Sequence, residues 1–322
     1  MADVSLPRLG DREGAERDED RAQIILITGL TLAVLFVAVV LLLNTVIYTE
    51  NLATRGADAG GAEAIEFRDG AVEDLEGIMS REHRNVSDGN ARNGFNASAR
   101  TYARAVADFR ARDGVIADVN VTRLDPGYFV YQNETDAGLR NMTDRNGADG
   151  WTVAAGVNRT RDYRLTLNST SLSDDVDDAF TVVADGPDGN WSLTVSNGTA
   201  GAINVTVNNG SGDVPRTFSH TGANVTVDLT AGTVGDERFP HLDWAENVEN
   251  DGEYAIRYRN GDRATGTYEF VVEDADESTS TNVSSRPYVV EGVYGVKVEI
   301  LHRTPELMYR DVVRLAPGES DA

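Results

Sequence analysis

The sequence of 322 residues contains no cysteine, which excludes disulfide crosslinks, a thiolate nucleophile and cysteine-bound metals. Lysine is almost absent too, because Lys297 is the only one among 29 basic residues. With 53 acidic residues the formal net charge is −24, which argues against binding to a nucleic-acid backbone, because such binding needs a positive surface. Without disulfides, any folded domain of this chain must be stabilised by its apolar core.

Sequence motifs of known catalytic sites are also missing. The sequence has no P-loop, no dinucleotide-binding fingerprint and no Gly-x-Ser-x-Gly elbow. The acidic cluster Asp174–Asp178 offers oxygen ligands for Ca²⁺, but it lacks the glycine and the spacing of an EF-hand loop, so we interpret it as a solvated turn. The four histidines are far apart and show no metal-binding spacing: His83, His220, His241 and His302. We therefore predict no enzyme, no cofactor and no metal site.

What the sequence does contain is one long charge-free stretch, residues 22–49, between Arg21 and Glu50. A helix needs roughly 20 apolar residues to cross a bilayer core, and this stretch exceeds that length. It is apolar all round, whereas the helix of a soluble core would carry a polar stripe. The pattern predicts a transmembrane helix, with the lipid bilayer as its partner.

The arginines beside this stretch predict its orientation. The amino-terminal flank, residues 1–21, carries Arg8, Arg12, Arg17 and Arg21, and the other flank offers only Arg55 and Arg68 within a similar distance. By the positive-inside rule, residues 1–21 form a cytoplasmic leader and residues 50–322 lie outside the cell. A cleaved secretory signal fits less well, because its apolar region is only about 7–15 residues long. We predict a single-pass protein of the cell membrane.

The junction Arg21-Ala22-Gln23, followed at once by the apolar helix, resembles the processing site of archaeal type IV pilin-like precursors. The abundance of acids with almost no lysine resembles the composition of haloarchaeal proteins. The resemblance implies that a membrane peptidase cuts between Ala22 and Gln23. It also implies that the apolar helix then packs against copies of itself or other pilin-like subunits. An uncleaved signal anchor remains the alternative.

After the apolar stretch, residues 50–114 have helical periodicity and are interpreted as a short helical stalk. Asn93 to Arg112 predicts the clearer helix, with one face that should pack against the following sheet: Phe95, Ala99, Tyr102, Val106 and Phe109.

From Val115 onward the pattern changes to short alternating runs separated by Gly, Asn and Asp, which predicts β-strands. Examples are Val115 to Leu124, Tyr128 to Gln132, Trp151 to Val157, Asp162 to Leu167 and Ile203 to Asn208. The runs Glu253 to Arg259 and Ala264 to Glu273 flank Asn260-Gly261-Asp262, a strong hairpin signal. The predicted fold class is α+β, with a transmembrane helix, a helical stalk and an exported, mostly antiparallel β-sandwich-like domain over residues 115–318. Residues 319–322 would form a tail.

Asn-x-Ser/Thr acceptor sequences are unusually frequent. Thirteen occur, where about three would be expected by chance from the composition. All of them follow the predicted membrane span, and we predict that several carry N-linked glycans. They begin at Asn85, Asn96, Asn120, Asn133, Asn141, Asn158, Asn168, Asn190, Asn197, Asn204, Asn209, Asn224 and Asn282.

These features favour a membrane-anchored, pilin-like extracellular structural protein of the cell surface. The alternative is a permanently signal-anchored binding or adhesion module that forms no filament. A third hypothesis is an anchored hydrolase on a β scaffold. Cleavage at Ala22–Gln23 would distinguish the first two, and a groove lined by paired carboxylates would favour the third.

Overall fold

The structure is a computed structural model that describes residues 12–85, 90–135, 138–248, 252–274 and 287–319. For residues 12–23, 46–59 and 200 it describes the backbone only. The chain divides into two compact units, Met1–Glu63 and Ala64–Ala322. This division falls inside the predicted stalk of residues 50–114. The domain bounds proposed from the sequence remain predictions.

Two α-helices precede the strands in the described part of the chain. Helix α1 spans Arg12–Arg84, and helix α2 spans Ala91–Ala111, close to the predicted Asn93 to Arg112. Asn90 caps α2, because its Oδ1 accepts a hydrogen bond of 3.1 Å from the Asn93 backbone N–H.

Within the second unit, both helices pack on one face of the sheet. On α1 the buried residues recur at spacings of three and four, which makes the amphipathic stripe that covers a sheet. The helical side of this small core consists of Phe67, Ala71, Leu75, Ile78, Met79, Phe95 and Ala99. The expectation that Phe109 shares this face is wrong: it is 61% exposed, because it lies in the last turn of α2, beyond the last buried residue of that helix.

The described strands form a single antiparallel sheet. In chain order they are β1 Ile116–Gln132, β2 Arg140–Asn141, β3 Trp151–Asn168, β4 Phe180–Asp185, β5 Asn190–Asn197, β6 Ile203–Asn208, β7 Asp213–Phe218, β8 Asn224–Asp228, β9 Thr233–Val234, β10 Glu237–Arg238, β11 Tyr254–Arg259, β12 Thr265–Asp274, β13 Tyr288–Arg303 and β14 Met308–Leu315. The main order is β14-β13-β1-β12-β3-β11-β4-β5-β6-β7.

The sheet forks at β3. One side of β3 pairs with β12 over most of its length. On the other side, its first half pairs with β11 and its last five residues pair with β8. The branch from β11 to β7 and the branch through β8 therefore both start from one strand.

The hairpin predicted at Asn260-Gly261 does not form. Strands β11 and β12 both pair with β3, which lies between them, and no register joins them to each other. Asn260 adopts a left-handed backbone with φ 55°, followed by one 3-10 turn, Gly261–Arg263. The turn residues were identified correctly, but the pairing was wrong because local sequence does not report a strand inserted from elsewhere in the chain.

The observed strands differ from the sequence pattern in their length and in one additional edge strand. Residues 151–168 form one long strand where the pattern predicted two, and residues 116–132 likewise continue through Asp125 and Pro126. Strand β7 was not predicted, because it contains Pro215 and alternates weakly. It pairs only with β6, at the edge of the sheet, where a missing N–H is tolerated.

The main core lies between the two branches that start at β3. Trp191 on β5 packs edge-on against Trp244 at 5.1 Å, and Trp244 contacts Tyr163 on β3 at 4.8 Å. All three side chains are buried. The α+β class, with an amino-terminal apolar helix and a large antiparallel sheet, is confirmed.

Candidate functional site

The apolar part of α1 is the first candidate site. Ile24–Thr45 is long and apolar enough to cross a membrane, with a mean hydropathy of 3.0, and none of it is buried by protein. Ile25 is 73% exposed and Leu26 is 72% exposed. A stripe of this length leaves a large apolar area in contact with whatever solvent surrounds it.

The hydroxyl groups in this segment are satisfied within the helix. The Oγ1 atoms of Thr28, Thr31 and Thr45 donate to the carbonyl oxygens four residues earlier, at 2.7, 2.8 and 2.8 Å. A hydroxyl bonded in this way has its donor satisfied without water, which is what a hydrocarbon environment demands.

The proposed processing residues, Ala22 and Gln23, lie in the helical backbone of α1, immediately before this segment. Their side chains are outside the described part.

The acceptor asparagines fall into two groups by exposure. The exposed group is Asn85, Asn120, Asn133, Asn141, Asn190 and Asn224. The half-buried group is Asn96, Asn158, Asn168, Asn197, Asn204 and Asn209. Asn282 lies outside the described residues, as do Val86 and Ser87 of the first acceptor sequence.

Several half-buried acceptors already use the side-chain nitrogen to which a glycan would be attached. Nδ2 of Asn197 donates to Asp174 Oδ1 at 2.7 Å, and Nδ2 of Asn209 donates to Glu246 Oε2 at 2.8 Å. Asn204 donates from Nδ2 to the Asn197 carbonyl at 3.4 Å. A glycan would replace one of the two N–H hydrogens of an amide nitrogen that is already engaged, in a half-buried place. The structure therefore separates the twelve described acceptors by accessibility and hydrogen bonding.

The acidic cluster Asp174–Asp178 is exposed throughout. Among the described residues, no group of three or more His, Asp or Glu side chains is arranged to hold a metal ion.

A second candidate site, which sequence reasoning missed, surrounds a bulge in β13. Asp125 pairs with Gly295 and Pro126 pairs with Val293, so Tyr294 is an extra residue in β13. A bulge leaves backbone groups outside the ladder, and Pro126 has no N–H to offer. The Asp125-Pro126 step inside an apolar run was the only signal of this irregularity in the sequence.

Arg161 satisfies the carbonyl groups of this bulge from β3. Its Nε donates to the Tyr294 carbonyl at 2.6 Å, and Nη2 donates to the Val293 carbonyl at 2.8 Å. Nη1 donates to the Pro317 carbonyl at 3.0 Å. Burial lowers the pKa of Arg161 to about 10, and the nearby carboxylates of Asp162, Glu319 and Glu76 oppose that shift. The guanidinium therefore links β3 to β13 and to the segment around Pro317.

His83 satisfies the remaining donor of the bulge. The Val293 N–H donates to its Nε2 at 3.0 Å, and its ring stacks on Phe129 at 5.4 Å. Burial, together with the charges of Arg161 and Arg84, lowers the pKa of His83 to about 3. The imidazole must stay neutral to accept this bond, so the arrangement acts as a structural clamp on the bulge.

This clamp should make the folded domain sensitive to acid. Below about pH 6.5 the unfolded chain binds a proton at His83 that the folded chain does not, so stability should fall from there towards pH 3. The loss at pH 5 would be about 2 kcal/mol. In His83→Gln this part of the pH dependence should disappear, whereas the exposed control His241→Gln should behave like the unaltered protein. Urea unfolding of residues 64–322 in the full chain, at pH 7 and pH 5, measures the difference. An equal loss in all three proteins would contradict the assignment.

Comparison with known proteins finds a similarity in one region of the chain. The chain is similar, over residues 18–125, to a family described as "Family of unknown function (DUF7261)". That region includes the apolar segment, all of α1 except its first six residues, all of α2 and the first part of β1, and most of the sheet lies outside it. No curated protein and no solved structure gives a significant match.

Proposed function

We propose that this protein is a membrane-anchored, pilin-like structural protein of the cell surface, with its sheet domain outside the cell. The observation that carries the proposal is the apolar segment Ile24–Thr45, which is wholly exposed and whose three threonine hydroxyls bond within the helix. Such a segment is stable when lipid or other apolar helices surround it.

The rest of α1 supports the same proposal. The helix that carries the apolar segment also carries Phe67, Leu75 and Met79, which are buried against the sheet of the second unit. Membrane attachment and domain folding thus share one element. The similarity over residues 18–125 covers both functions of α1 and only the start of the sheet.

The core between the two branches of the sheet supports a sandwich-like exported domain. The exposed acceptor asparagines and the net charge of −24 favour a surface that stays hydrated outside the cell. A permanently anchored binding or adhesion module, with the leader retained, is the second candidate function. It shares the span and the domain, and differs only at Ala22–Gln23.

The mature amino terminus tests the proposal. In protein purified from host membranes, intact-mass and peptide mass spectrometry should find a chain that begins at Gln23. Ala22→Leu should retain the leader, because the small residue at the cut is lost. Ala15→Leu, a matched change inside the leader, should be processed normally. Retention of residues 1–22 in all three proteins would leave the anchored binding module.

The orientation can be tested because the chain has no cysteine of its own. Asp188→Cys, in the exposed turn between β4 and β5, should react with a membrane-impermeant maleimide on intact cells. Ser5→Cys, placed in the Ala22→Leu background to retain the leader, should react only after lysis. Labelling of Ser5→Cys on intact cells would contradict a cytoplasmic amino terminus.

Glycan occupancy should follow exposure and hydrogen bonding. Asn190→Gln should remove the mass of one glycan from the intact protein, because Asn190 is exposed. Asn204→Gln should leave the mass of the glycans unchanged, because Nδ2 of Asn204 is engaged and its Oδ1 accepts from Thr217 Oγ1 at 2.8 Å. A glycan on Asn204 and none on Asn190 would refute this ranking.

A further inference from the structure

The outer face of β1, β13 and β14, opposite the helices, is exposed and unusually basic for so acidic a chain. Cross-strand register brings its side chains into four rows, which together define what we call the basic face. The rows are Ile116–Arg303–Met308, Asp118–Leu301–Arg310, Asn120–Glu299–Val312 and Arg123–Lys297–Arg314. Five of these side chains are basic and two are acidic, whereas the whole chain has 53 acids against 29 basic residues.

The last row places three cations side by side, which is unfavourable between neighbouring strands unless an anion faces them. Arg123 pairs with Asp125 at 2.7 Å and Arg314 pairs with Glu319. Lys297 and Arg303, at opposite ends of the face, form no ion pair with any residue that the structure describes. The two cations are about 20 Å apart along the strand.

The same face carries exposed apolar side chains. Ile116 is 57% exposed, Met308 is 63% exposed and Val312 is 47% exposed. On β14, Val312 lies between Arg310 and Arg314, which project on the same side of the strand. Arg310 forms an ion pair with Glu299, the residue of β13 that lies opposite Val312. An apolar side chain flanked by cations is the complement of an apolar side chain flanked by carboxylates.

The chain contains such a complement in the loop Asp174–Asp178, which precedes β4. Val176 at its centre is 51% exposed, with two aspartates on either side. The backbone of the loop is held by hydrogen bonds from Asp177 N to Asp175 Oδ1, at 3.0 Å, and from Asn197 Nδ2 to Asp174 Oδ1. None of its four carboxylates is within an ion pair to a basic residue of the described chain.

We propose that the basic face binds the Asp174–Asp178 loop of a second copy of this chain. Val176 packs against Val312, while the aspartates face Arg310, Arg314 and the unpaired Lys297. The inference deepens the proposed structural function and rests on it. It supplies a contact between exported domains that the apolar helix alone does not provide.

The two surfaces belong to different parts of the sheet, since β14 and β4 are six positions apart in the strand order. A contact between two different surfaces is heterologous, so every assembly that does not close into a ring keeps a free loop at one end and a free face at the other. Such contacts generate rings or open filaments instead of closed dimers. One loop on three strands buries less than the roughly 800 Å² per partner of a standard interface, so the contact is weak unless membrane anchoring concentrates the copies.

Crosslinking in host membranes tests the contact. The double variant Val176→Cys, Val312→Cys, treated with a short bismaleimide, should give a ladder of dimers, trimers and larger species, because each copy supplies both halves. The matched control Asp188→Cys, Val312→Cys places the first cysteine in another exposed acidic turn. It should remain monomeric or give far fewer crosslinks. Equal ladders from both pairs, or no ladder from the first, would overturn the proposal.

Charge reversal tests the electrostatic part of the contact. Adding Lys297→Glu and Arg303→Glu should abolish the ladder, since these cations have no partner in the described chain. Arg145→Glu with Arg259→Glu, an equal charge change at exposed positions elsewhere, should not. Adding Asp177→Arg and Asp178→Arg to the first pair should restore the ladder. If reversal instead releases the domain from anionic lipid vesicles and leaves the ladder unchanged, the basic face binds membrane and the proposal is wrong.

The same sample separates this inference from the proposed function. Processing at Gln23 and bismaleimide crosslinks through Gly29→Cys in the span, without a ladder from the 176/312 pair, would support the pilin-like subunit and overturn only the loop contact. A chain that keeps its leader and yet gives the ladder would support the loop contact and overturn the pilin-like processing. Asn120 is exposed but lies on the basic face, so the contact requires that it carry no glycan, unlike the exposed acceptors elsewhere; a glycan on Asn120 would contradict the contact.

Discussion

The structure depends above all on the pairing of β3, because the two branches of the sheet meet only there. Trp151–Asn168 pairs with β12 along one side and with β11 and β8 along the other. A strand with three partners cannot be straight and regular along its whole length. The register therefore shifts at Asp162, whose positive φ of 55° places one extra residue in β3 opposite β12. The Asp162 N–H then donates to the Gly318 carbonyl, which ties the end of the chain to the point where the sheet divides.

The shift in β3 and the bulge in β13 are connected through Arg161. Its guanidinium donates hydrogen bonds to the backbone carbonyl oxygens of Val293, Tyr294 and Pro317, and none of these acceptors carries a charge. Burying a cation among uncharged acceptors, these three carbonyls and the Met79 sulfur at 3.1 Å from Nη2, costs free energy, and the lowered pKa of Arg161 expresses that cost. The carboxylates of Asp162, Glu319 and Glu76 reduce this cost through their electrostatic attraction to the guanidinium. In a chain with so many acids, the summed negative charge stabilises a buried arginine electrostatically even when no carboxylate contacts it directly.

The sequence predicted what is local and periodic, and it failed where partners are distant. The alternation in Ile203–Asn208 indicated a strand, and the apolar length of residues 22–49 indicated a helix long and apolar enough to cross a membrane, because each pattern is contained in one segment. The Asn260-Gly261 turn was recognised, but the strand inserted between β11 and β12 comes from about a hundred residues earlier and leaves no local sign. His83 and Arg161 have no motif, since their role exists only once the bulge has formed. For the same reason, the acceptor asparagines could be found from sequence, but their separation into exposed and hydrogen-bonded groups could not.

The exposed face of β1, β13 and β14 is basic although the chain as a whole is acidic. A uniformly acidic surface repels its own copies, and dissolved salt screens this repulsion over distances beyond a Debye length of about 10 Å at 0.1 M. Short-range contacts between a carboxylate and a cation survive screening better than the general repulsion does. The two cations without an ion pair on this face, Lys297 and Arg303, lie among exposed apolar side chains, so in the contact that we propose they would give self-association a direction. The single lysine lies on that face, where a flexible ammonium can follow a loop that approaches from solvent.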